Sequence, residues 1–475
     1  MTLITQLDII LQRLILYVQL EAFMAITKHE EGSMRELWTL SFPLMLSSFS
    51  VLMMVFSDRW FLAHYSAEAH NAAVAATTFG WGFIFGWMCL AGISEVFVAQ
   101  YYGAGMRHKT GSPVWQMMWL SVLSWAFFLP LSYWGPEICF GHGIESELER
   151  DYFRIMLLFG PFYAFYAALC GFFIGQGKTK LITTVVVFAN FFNILMDWIL
   201  IFGIEGWIPS YGVKGAAIAT SLATLFQGLA LCIVFLKKKN REECGTSDYR
   251  LNLKMMIECI KVGLPTAIFI VAEILAFGCF YMIMKEKGDH YITVAGIAQS
   301  MMILFFFFCE GINKATTAIA GNMIGAGRSF LIPKMMKAGA IMNVIFMVFV
   351  MIFFLFGTPF IVSQFLPLAD PIFVEEIMQS LQMTLIFYGV YIFLEGIRMQ
   401  CSGVLTASGD TFFLLVAGAS LVWLCMLLPV YLFIGRGTAP VEAGAFICVV
   451  YNLIACGVYF WRIRVNQRQE VQSLV

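Results

Sequence analysis

The sequence predicts an all-α integral membrane protein, with about twelve transmembrane helices in two six-helix lobes related by internal pseudo-symmetry. Three observations predict this fold: an apolar composition, a series of long apolar runs, and motifs that recur half a chain apart. Of the 475 residues, 60% are hydrophobic and only 12% are charged, and the mean hydropathy is +0.81. A soluble protein could not bury that much apolar surface, whereas a lipid bilayer covers it.

The apolar runs are long enough to cross a membrane, because a spanning helix needs about 20 mostly apolar residues. Short polar loops separate the runs. The predicted cores of the twelve spans are 37–61, 72–100, 114–134, 153–174, 180–203, 214–236, 257–284, 291–322, 335–357, 378–404, 411–434 and 441–461.

The longest polar loop lies near the middle of the chain and divides it almost in half. The predicted organisation is therefore an N-terminal extension (1–33), an N-terminal lobe (34–236), a linker loop (237–256), a C-terminal lobe (257–464) and a tail (465–475). Asp8, Arg13 and Glu21 interrupt the apolar part of the extension, so it does not resemble a signal peptide. An interfacial helix or a loosely attached segment is the expectation, and an extra functional helix is the alternative.

The distribution of positive charge predicts the orientation of the chain in the membrane. Of the 29 Lys and Arg residues, 20 fall on the side of the central loop, 6 on the opposite side and 3 within or at the ends of spans. Loops rich in Lys and Arg remain in the cytoplasm. We therefore expect the central loop and both termini to be cytoplasmic.

Several motifs recur at an offset of roughly half the chain. The paired positions are Pro43 and Pro265, Gly103 and Gly325 in Gln/Asn-x-x-Gly-Ala-Gly, and Gly177 and Gly409 in Gly-x5-Gly-x-Thr. The first two pairs are 222 residues apart and the third pair is 232 residues apart. Since each half contains six spans, the halves have parallel topology, and such pairs commonly enclose a substrate cavity at their interface.

The order and duplication of these motifs resemble the multidrug and toxic compound extrusion (MATE) family. The resemblance rests on Asp58 after the first-span proline, on the two glycine turns, and on Asn193-Ile-Leu-Met-Asp197 before Ile201-Phe-Gly203. It extends from about Met34 to Arg464. It implies a two-lobed transporter with a central cavity that opens alternately to each side of the membrane.

Ionisable residues inside the spans are candidate functional residues, because burying a charge in a membrane is costly. They are Asp58, Glu95 and Asp197 in the first half, and Glu273, Glu310, Lys314, Glu395 and Arg398 in the second.

In the first half, Asn193 and Asp197 are four residues apart and share a helix face. The resemblance implies an ion or proton site formed by Asp58, Asn193 and Asp197, with Thr220 as a weaker contributor. Two alternatives remain open. Asp58 could instead form an ion pair with the adjacent Arg59, and the Asn-Asp pair could serve as hydrogen-bonding contacts between helices.

In the second half, Glu273 has no basic neighbour one turn away on its own helix. A carboxylate that exchanges a proton suits a proton-coupled transporter, whereas a sodium site would gather several oxygen atoms. The resemblance implies coupling roles for Glu273 and Glu395. A neutral Glu273 bonded to a neighbouring helix is the alternative. Because Arg398 is three residues from Glu395, proton transfer is expected to fall to Glu273, with Glu395 as an acceptor or ion ligand.

The remaining charged residues, and Arg398 with them, are predicted only as possible contributors to the ion or proton coupling site. Glu310 and Lys314 have the spacing of an intrahelical ion pair, as do Glu395 and Arg398. Glu95 is expected to face a water-filled cleft. Gly171-x5-Gly177-Lys178-Thr179 has one residue too many for a nucleotide-binding P-loop and follows a span rather than a strand.

The resemblance implies secondary active efflux of organic, often cationic compounds by alternating access, in exchange for protons or sodium ions. We expect a monomer in the plasma membrane that contacts small organic substrates and lipid, and no nucleic acid or nucleotide. H⁺ or Na⁺ is the expected coupling ion, with no other cofactor and no metal besides sodium. The alternatives are a flippase for lipid-linked oligosaccharides and a polytopic membrane enzyme. A flippase would be expected to carry a cluster of cavity arginines, whereas only Arg398 is central here.

Overall fold

The computed structural model describes residues 26–141, 146–366 and 370–473. These residues contain eleven helices that are long and apolar enough to cross a membrane, and a bent helix pair supplies a twelfth span. In order, spans 1–12 are Met34–Tyr65, Ala67–Gly103, Arg107–Phe140, Glu147–Gly175, Thr179–Phe202, Val213–Phe235, Leu253–Glu286, Asp289–Gly325, Ser329–Phe365, Ile372–Ala407, Thr411–Gly435 and Glu442–Gln467. The predicted membrane fold is confirmed. The predicted extension lies mostly outside the described residues, in 1–25.

Several spans are not single regular helices. Span 2 breaks at Ile93 into helices Ala67–Gly92 and Ser94–Gly103. Span 4 consists of Glu147–Leu158 and Gly160–Gly175, which meet at an angle of 41°. Wide π-helical turns occupy Val422–Leu427 in span 11. Neither hydropathy nor motif spacing predicted these irregularities.

The central linker ends at Asn252, before the predicted residue 256, and contains a short helix. A helix forms over Lys238–Cys244, and span 7 begins at Leu253. The linker backbone is bound to span 3 of the N-terminal lobe. Trp115 Nε1 donates to the Thr246 carbonyl at 2.9 Å, and Gln116 Nε2 donates to the Arg250 carbonyl at 3.0 Å. The predicted tail is also helical, since the last helix continues to Ser473.

The hydrophobic core shows how the lobes meet. We call the membrane side that carries the linker the linker side, and the opposite side the far side. On the far side, each lobe has its own cluster of buried apolar residues, typified by Leu62 and Phe153 in the N-terminal lobe and by Phe280 and Phe354 in the C-terminal lobe. On the linker side, a single cluster contains residues of both lobes. The lobes are therefore joined on the linker side and have separate cores on the far side.

The repeated glycine motifs form the contact between the lobes on the linker side. A Cβ atom on Gly103 would overlap the carbonyl of Asn322, and one on Gly325 would overlap the carbonyl of Gln100. These two contacts are reciprocal, as a pseudo-twofold axis along the membrane normal requires. Gln100 also donates its Nε2 hydrogen to the Ala407 carbonyl at 2.8 Å. We call this crossing of spans 2 and 8 the linker-side seal.

Candidate functional site

Three clusters of ionisable side chains lie inside the bundle, and the predicted site residues occupy all three. The N-terminal cluster comprises Asp58, Asn193, Asp197 and Thr220. The C-terminal cluster comprises Glu273, Glu395 and Arg398. The boundary cluster comprises Glu95, Glu310 and Lys314.

The N-terminal cluster brings together spans 1, 5 and 6. Asp58 and Thr220 are 5% and 7% exposed, and Asn193 and Asp197 are fully buried. Thr220 Oγ1 donates to Asp58 Oδ2 at 2.5 Å, and Asn193 Nδ2 donates to Thr220 Oγ1 at 3.5 Å. The structure therefore brings together the residues that the resemblance implied, including the weaker candidate Thr220.

The N-terminal cluster has more acceptor atoms than donors. Both carboxylate oxygens of Asp197, Oδ1 of Asp58 and Oδ1 of Asn193 are buried without a hydrogen-bond donor. The carboxyl groups of Asp58 and Asp197 also interact with each other. Arg59 is exposed, and no salt bridge to Asp58 occurs among the described residues. Buried oxygens that lack donors favour binding of a proton or a cation.

A small cavity lies next to these oxygens. Its volume is about 20 Å³, and Asp58, Thr220, Tyr152 and Tyr163 contribute to its wall. This volume is enough for a water molecule or a small ion. The cavity therefore gives a proton or an ion room beside Asp58 within the lobe.

The C-terminal cluster differs because a guanidinium group joins its two carboxylates. Arg398 Nη2 lies 2.8 Å from Glu273 Oε1 and 2.5 Å from Glu395 Oε1, and Arg398 Nε donates to Glu395 Oε2 at 2.9 Å. Arg398 and Glu395 are each 3% exposed, whereas Glu273 is 19% exposed. The predicted pair of Glu395 with Arg398 is confirmed.

Two further side chains complete the C-terminal cluster and were not predicted. Asn452 Nδ2 donates to Glu395 Oε2 at 2.9 Å, and the Tyr451 hydroxyl donates to Glu273 Oε1 at 3.3 Å. Both come from span 12. An asparagine inside an apolar run is a usable sequence signal, because a buried amide needs partners. Sequence reasoning also missed the contact between Glu273 and Arg398, which lie on different helices.

The boundary cluster lies where the two lobes meet. Lys314 Nζ is 3.0 Å from Glu310 Oε1, which confirms the predicted intrahelical pair. Glu95 is 9% exposed, and its Oε1 atom has no hydrogen-bond partner. Among the described residues, no hydrogen bond or salt bridge links any two of the three clusters.

Comparison with known proteins identifies the family. The MatE family model matches residues 43–199 and 265–432, one segment in each lobe. The chain belongs to the MatE family. Members of this family are transporters, and the MatE chain described here is accordingly a transporter rather than an enzyme.

Curated relatives and solved structures agree with the MatE assignment. The probable multidrug resistance protein NorM of Thermotoga maritima is 25% identical over 79% of this chain and 80% of its own length. The multidrug resistance protein MdtK of Klebsiella pneumoniae is 27% identical over 62% of this chain and 65% of its own length. A crystal structure of MATE in complex with MaL6 is 19% identical, with a TM-score of 0.81 over 92% of this chain and 96% of that chain. An outward-facing multidrug resistance MATE transporter gives a TM-score of 0.80 at the same identity and coverage.

Proposed function

We propose that this MatE protein exports organic, often cationic compounds in exchange for protons or sodium ions. Its relatives are named as multidrug resistance proteins, which supports this substrate class. The excess of Lys and Arg on the linker side supports a cytoplasmic location for that side and for both termini. We propose a monomer in the plasma membrane, with no cofactor besides the coupling ion.

The observation that carries the proposal is the N-terminal cluster. Asp58 and Asp197 are buried, lack a salt bridge to any described basic residue, and lie beside a cavity of about 20 Å³. Arg59 also lines this cavity but forms no salt bridge with Asp58. Two adjacent carboxylates with no cation in direct contact repel each other unless a proton or a cation is bound. An ion taken up there would change the stability of this lobe, so it could couple to export.

The C-terminal cluster supports a different division of roles from the one implied by resemblance alone. Glu273 and Glu395 share Arg398, which supplies a permanent positive charge. We therefore assign coupling to the N-terminal cluster and a positioning role to the C-terminal cluster.

The separation of the lobes on the far side supports alternating access. We propose that this arrangement is the outward-open state of the cycle, in which the linker-side seal would close the cytoplasmic end. An ion drives a conformational change only if it binds one of the two states more tightly.

The test is ethidium efflux from proteoliposomes under an imposed proton or sodium gradient. We expect one of the gradients to drive efflux by the wild type, and Asp58→Asn to reduce the driven rate at least about tenfold, since ~1.4 kcal/mol of coupling corresponds to that factor. Glu242→Gln on the exposed linker is the matched control and should leave efflux unchanged. Gradient-driven efflux that persists in Asp58→Asn would refute coupling at this cluster.

The flippase alternative requires positive charge that is free to hold a pyrophosphate group. Arg398 is engaged by two carboxylates and is 3% exposed. This arrangement favours export of organic compounds over transport of a lipid-linked pyrophosphate.

A further inference from the structure

The segment just before span 1 crosses the boundary between the lobes on the linker side. Both of its ends lie on the N-terminal lobe, since Ile26 packs against Gly177 in the turn between spans 4 and 5, and Met34 begins span 1. Between these ends, Gly32 lies against the start of span 9 in the C-terminal lobe. We call residues 26–33 the strap, because they leave one lobe, contact the other and return.

Two ion pairs bind the strap to the C-terminal lobe. Glu31 Oε1 lies 2.7 Å from Arg328 Nη1, and these side chains are only 18% and 15% exposed. Glu30 pairs with Lys334, and here the side chains are 77% and 45% exposed. Water and salt screen a partly buried pair less than an exposed one. The pair of Glu31 with Arg328 should therefore contribute more to the attachment.

A glycine allows the backbone of the strap to approach the C-terminal lobe closely. Gly32 has a φ of 70°, which side chains other than glycine rarely adopt. A Cβ atom at this position would lie 3.3 Å from both the Leu331 carbonyl oxygen and the Met335 backbone nitrogen. The strap thus rests directly on the first turn of span 9, in addition to its side-chain contacts.

The strap is also fixed to the start of span 1. Glu36 is 2% exposed, and its Oε2 accepts a hydrogen bond from the Gly32 N–H at 2.7 Å. In return, the Glu36 N–H donates to Ser33 Oγ at 3.2 Å. This reciprocal arrangement, a variant of the capping box, sets the direction in which the strap leaves the helix. A displacement of span 9 relative to span 1 must therefore break contacts of the strap.

The attachment point of the strap adjoins the linker-side seal. Arg328 is three residues beyond the seal glycine Gly325, and its backbone N–H donates to the Met323 carbonyl of span 8 at 2.7 Å. Arg328 is therefore held to the end of span 8. Separation of spans 2 and 8 at the seal would move Arg328 away from Glu31 and the rest of the strap.

We propose that the strap is a latch, which holds the linker side closed by binding across the lobe boundary through the pair of Glu31 with Arg328. This inference rests on the proposed alternating access, because it assigns an energetic barrier to the opening of the seal. Release of the strap is then a step in the passage to the state that is open on the linker side.

The experiment measures hydrogen–deuterium exchange of the purified full-length protein in detergent, by mass spectrometry. The reporter is the end of span 2, residues 96–104, which forms the N-terminal half of the seal. We expect Glu31→Gln and Arg328→Gln each to accelerate exchange there at least about fivefold, because they break the same pair from opposite sides. Exchange at 152–157, in the far-side core, should not change. Glu242→Gln on the exposed linker is the control.

Reversal of the charges tests the pair itself. Glu31→Arg places two positive charges together and should accelerate exchange at the seal more than Glu31→Gln does. Adding Arg328→Glu to that variant should return exchange close to the wild-type rate. Unchanged exchange at the seal in Glu31→Gln, or no recovery in the double variant, would overturn the latch. Equal acceleration at the seal and in the far-side core would also overturn it, since this would indicate a general loss of stability. Arg328→Gln serves if Glu31→Gln does not fold.

Ethidium efflux separates failure of the latch from failure of the proposed function. Gradient-driven efflux by the wild type, together with unchanged exchange at the seal in Glu31→Gln, would refute the latch alone. The expected response at the seal, together with no driven efflux by the wild type, would support the latch and refute the proposed export of ethidium-like compounds.

Discussion

The two lobes contain polar clusters in a similar structural setting but with different chemistry. In the N-terminal lobe, Asp58 and Asp197 are buried without a basic partner and adjoin a cavity. In the C-terminal lobe, Arg398 binds both Glu273 and Glu395. The comparison teaches that a duplicated fold need not retain a duplicated function: one cluster is suited to binding an ion reversibly, and the other holds three spans together.

The largest expected effect comes from removing the guanidinium group of the C-terminal cluster. Arg398→Met leaves the buried Glu395 and the partly buried Glu273 without their shared cation, so we expect the free energy of unfolding to fall by about 3–5 kcal/mol. Thermal unfolding in detergent measures the change. Lys285→Met, at an exposed position, is the control. An unchanged thermal midpoint in Arg398→Met would contradict the conclusion that Arg398 stabilises the C-terminal cluster and so distinguishes it from the N-terminal cluster.

A smaller loss of stability should follow substitution at the linker-side seal. Gly103→Ala and Gly325→Ala each place a Cβ atom against the backbone of the other lobe, and overpacking of this kind costs about 1–3 kcal/mol. Because the two contacts are related by pseudo-symmetry, we expect similar losses. The thermal midpoints of both variants test this, with Gly457→Ala as the control, since its added Cβ meets no neighbouring atom. Clearly unequal losses would show that the lobes differ at the seal as well.

The N-terminal cluster should respond to neutralisation in the opposite direction. No described N–H or hydroxyl group donates to the Asp197 carboxyl, which interacts with the Asp58 carboxyl. We therefore expect Asp197→Asn to leave the free energy of unfolding unchanged or to raise it by up to about 1 kcal/mol, since it removes the repulsion between two carboxylates. A chemical denaturation series at neutral pH measures this. A loss comparable to that of Arg398→Met would contradict the proposed contrast.

The smallest effect concerns the matching turns Gly177-Lys178-Thr179 and Gly409-Asp410-Thr411, where the lobes carry opposite charges. Partial burial raises the pKa of Asp410, but hydrogen bonds from Arg462 and Asn466 lower this pKa by more. The net result is an Asp410 pKa below its usual value. Burial lowers the pKa of Lys178. For each residue, the pKa in the folded chain is lower than the pKa in the unfolded chain. At pH values between these two, the unfolded chain binds more protons than the folded chain, so the free energy of unfolding rises with pH.

The two turns should therefore affect stability in different pH ranges. Asp410 should contribute stability above its unfolded pKa of 3.8, and this contribution is lost as pH falls through its lowered value. Lys178 should favour the folded state increasingly as pH rises towards 10.5. Unfolding midpoints measured across pH should lose the acid-side slope in Asp410→Asn and the alkaline slope in Lys178→Met. Slopes retained in both variants would contradict these assignments.

Much of the fold follows from hydropathy and from the repeat. All twelve predicted spans are present, and the repeated turn glycines adopt positive φ, for example 72° at Gly105 and 68° at Gly327. The break at Ile93 and the helix Lys238–Cys244 were not predicted. The break lies beside Glu95 between two apolar stretches that read as one span, and the linker helix is polar, so hydropathy indicates neither of them.

The candidate sites were predictable where one charge interrupts an apolar run, as at Asp58 and Glu273. Their partners were not predictable, because they depend on which helices pack together. Arg398 is 125 residues from Glu273, and only the folded arrangement of the C-terminal lobe brings the two side chains within 2.8 Å of each other. An asparagine inside an apolar run, such as Asn452, indicates a buried polar contact but not its partner, which is Glu395 here.

The bound linker has a consequence for how the lobes can move. Its backbone is attached to span 3, and Asn252 N donates to Gln116 Oε1 at 2.9 Å immediately before span 7 begins. The covalent connection between the lobes is thus held against the N-terminal lobe as far as Asn252 and is not a flexible tether. In the alternating-access cycle proposed above, a connection this short would place the pivot near the membrane surface. The C-terminal lobe would then rock about that point rather than slide along its partner.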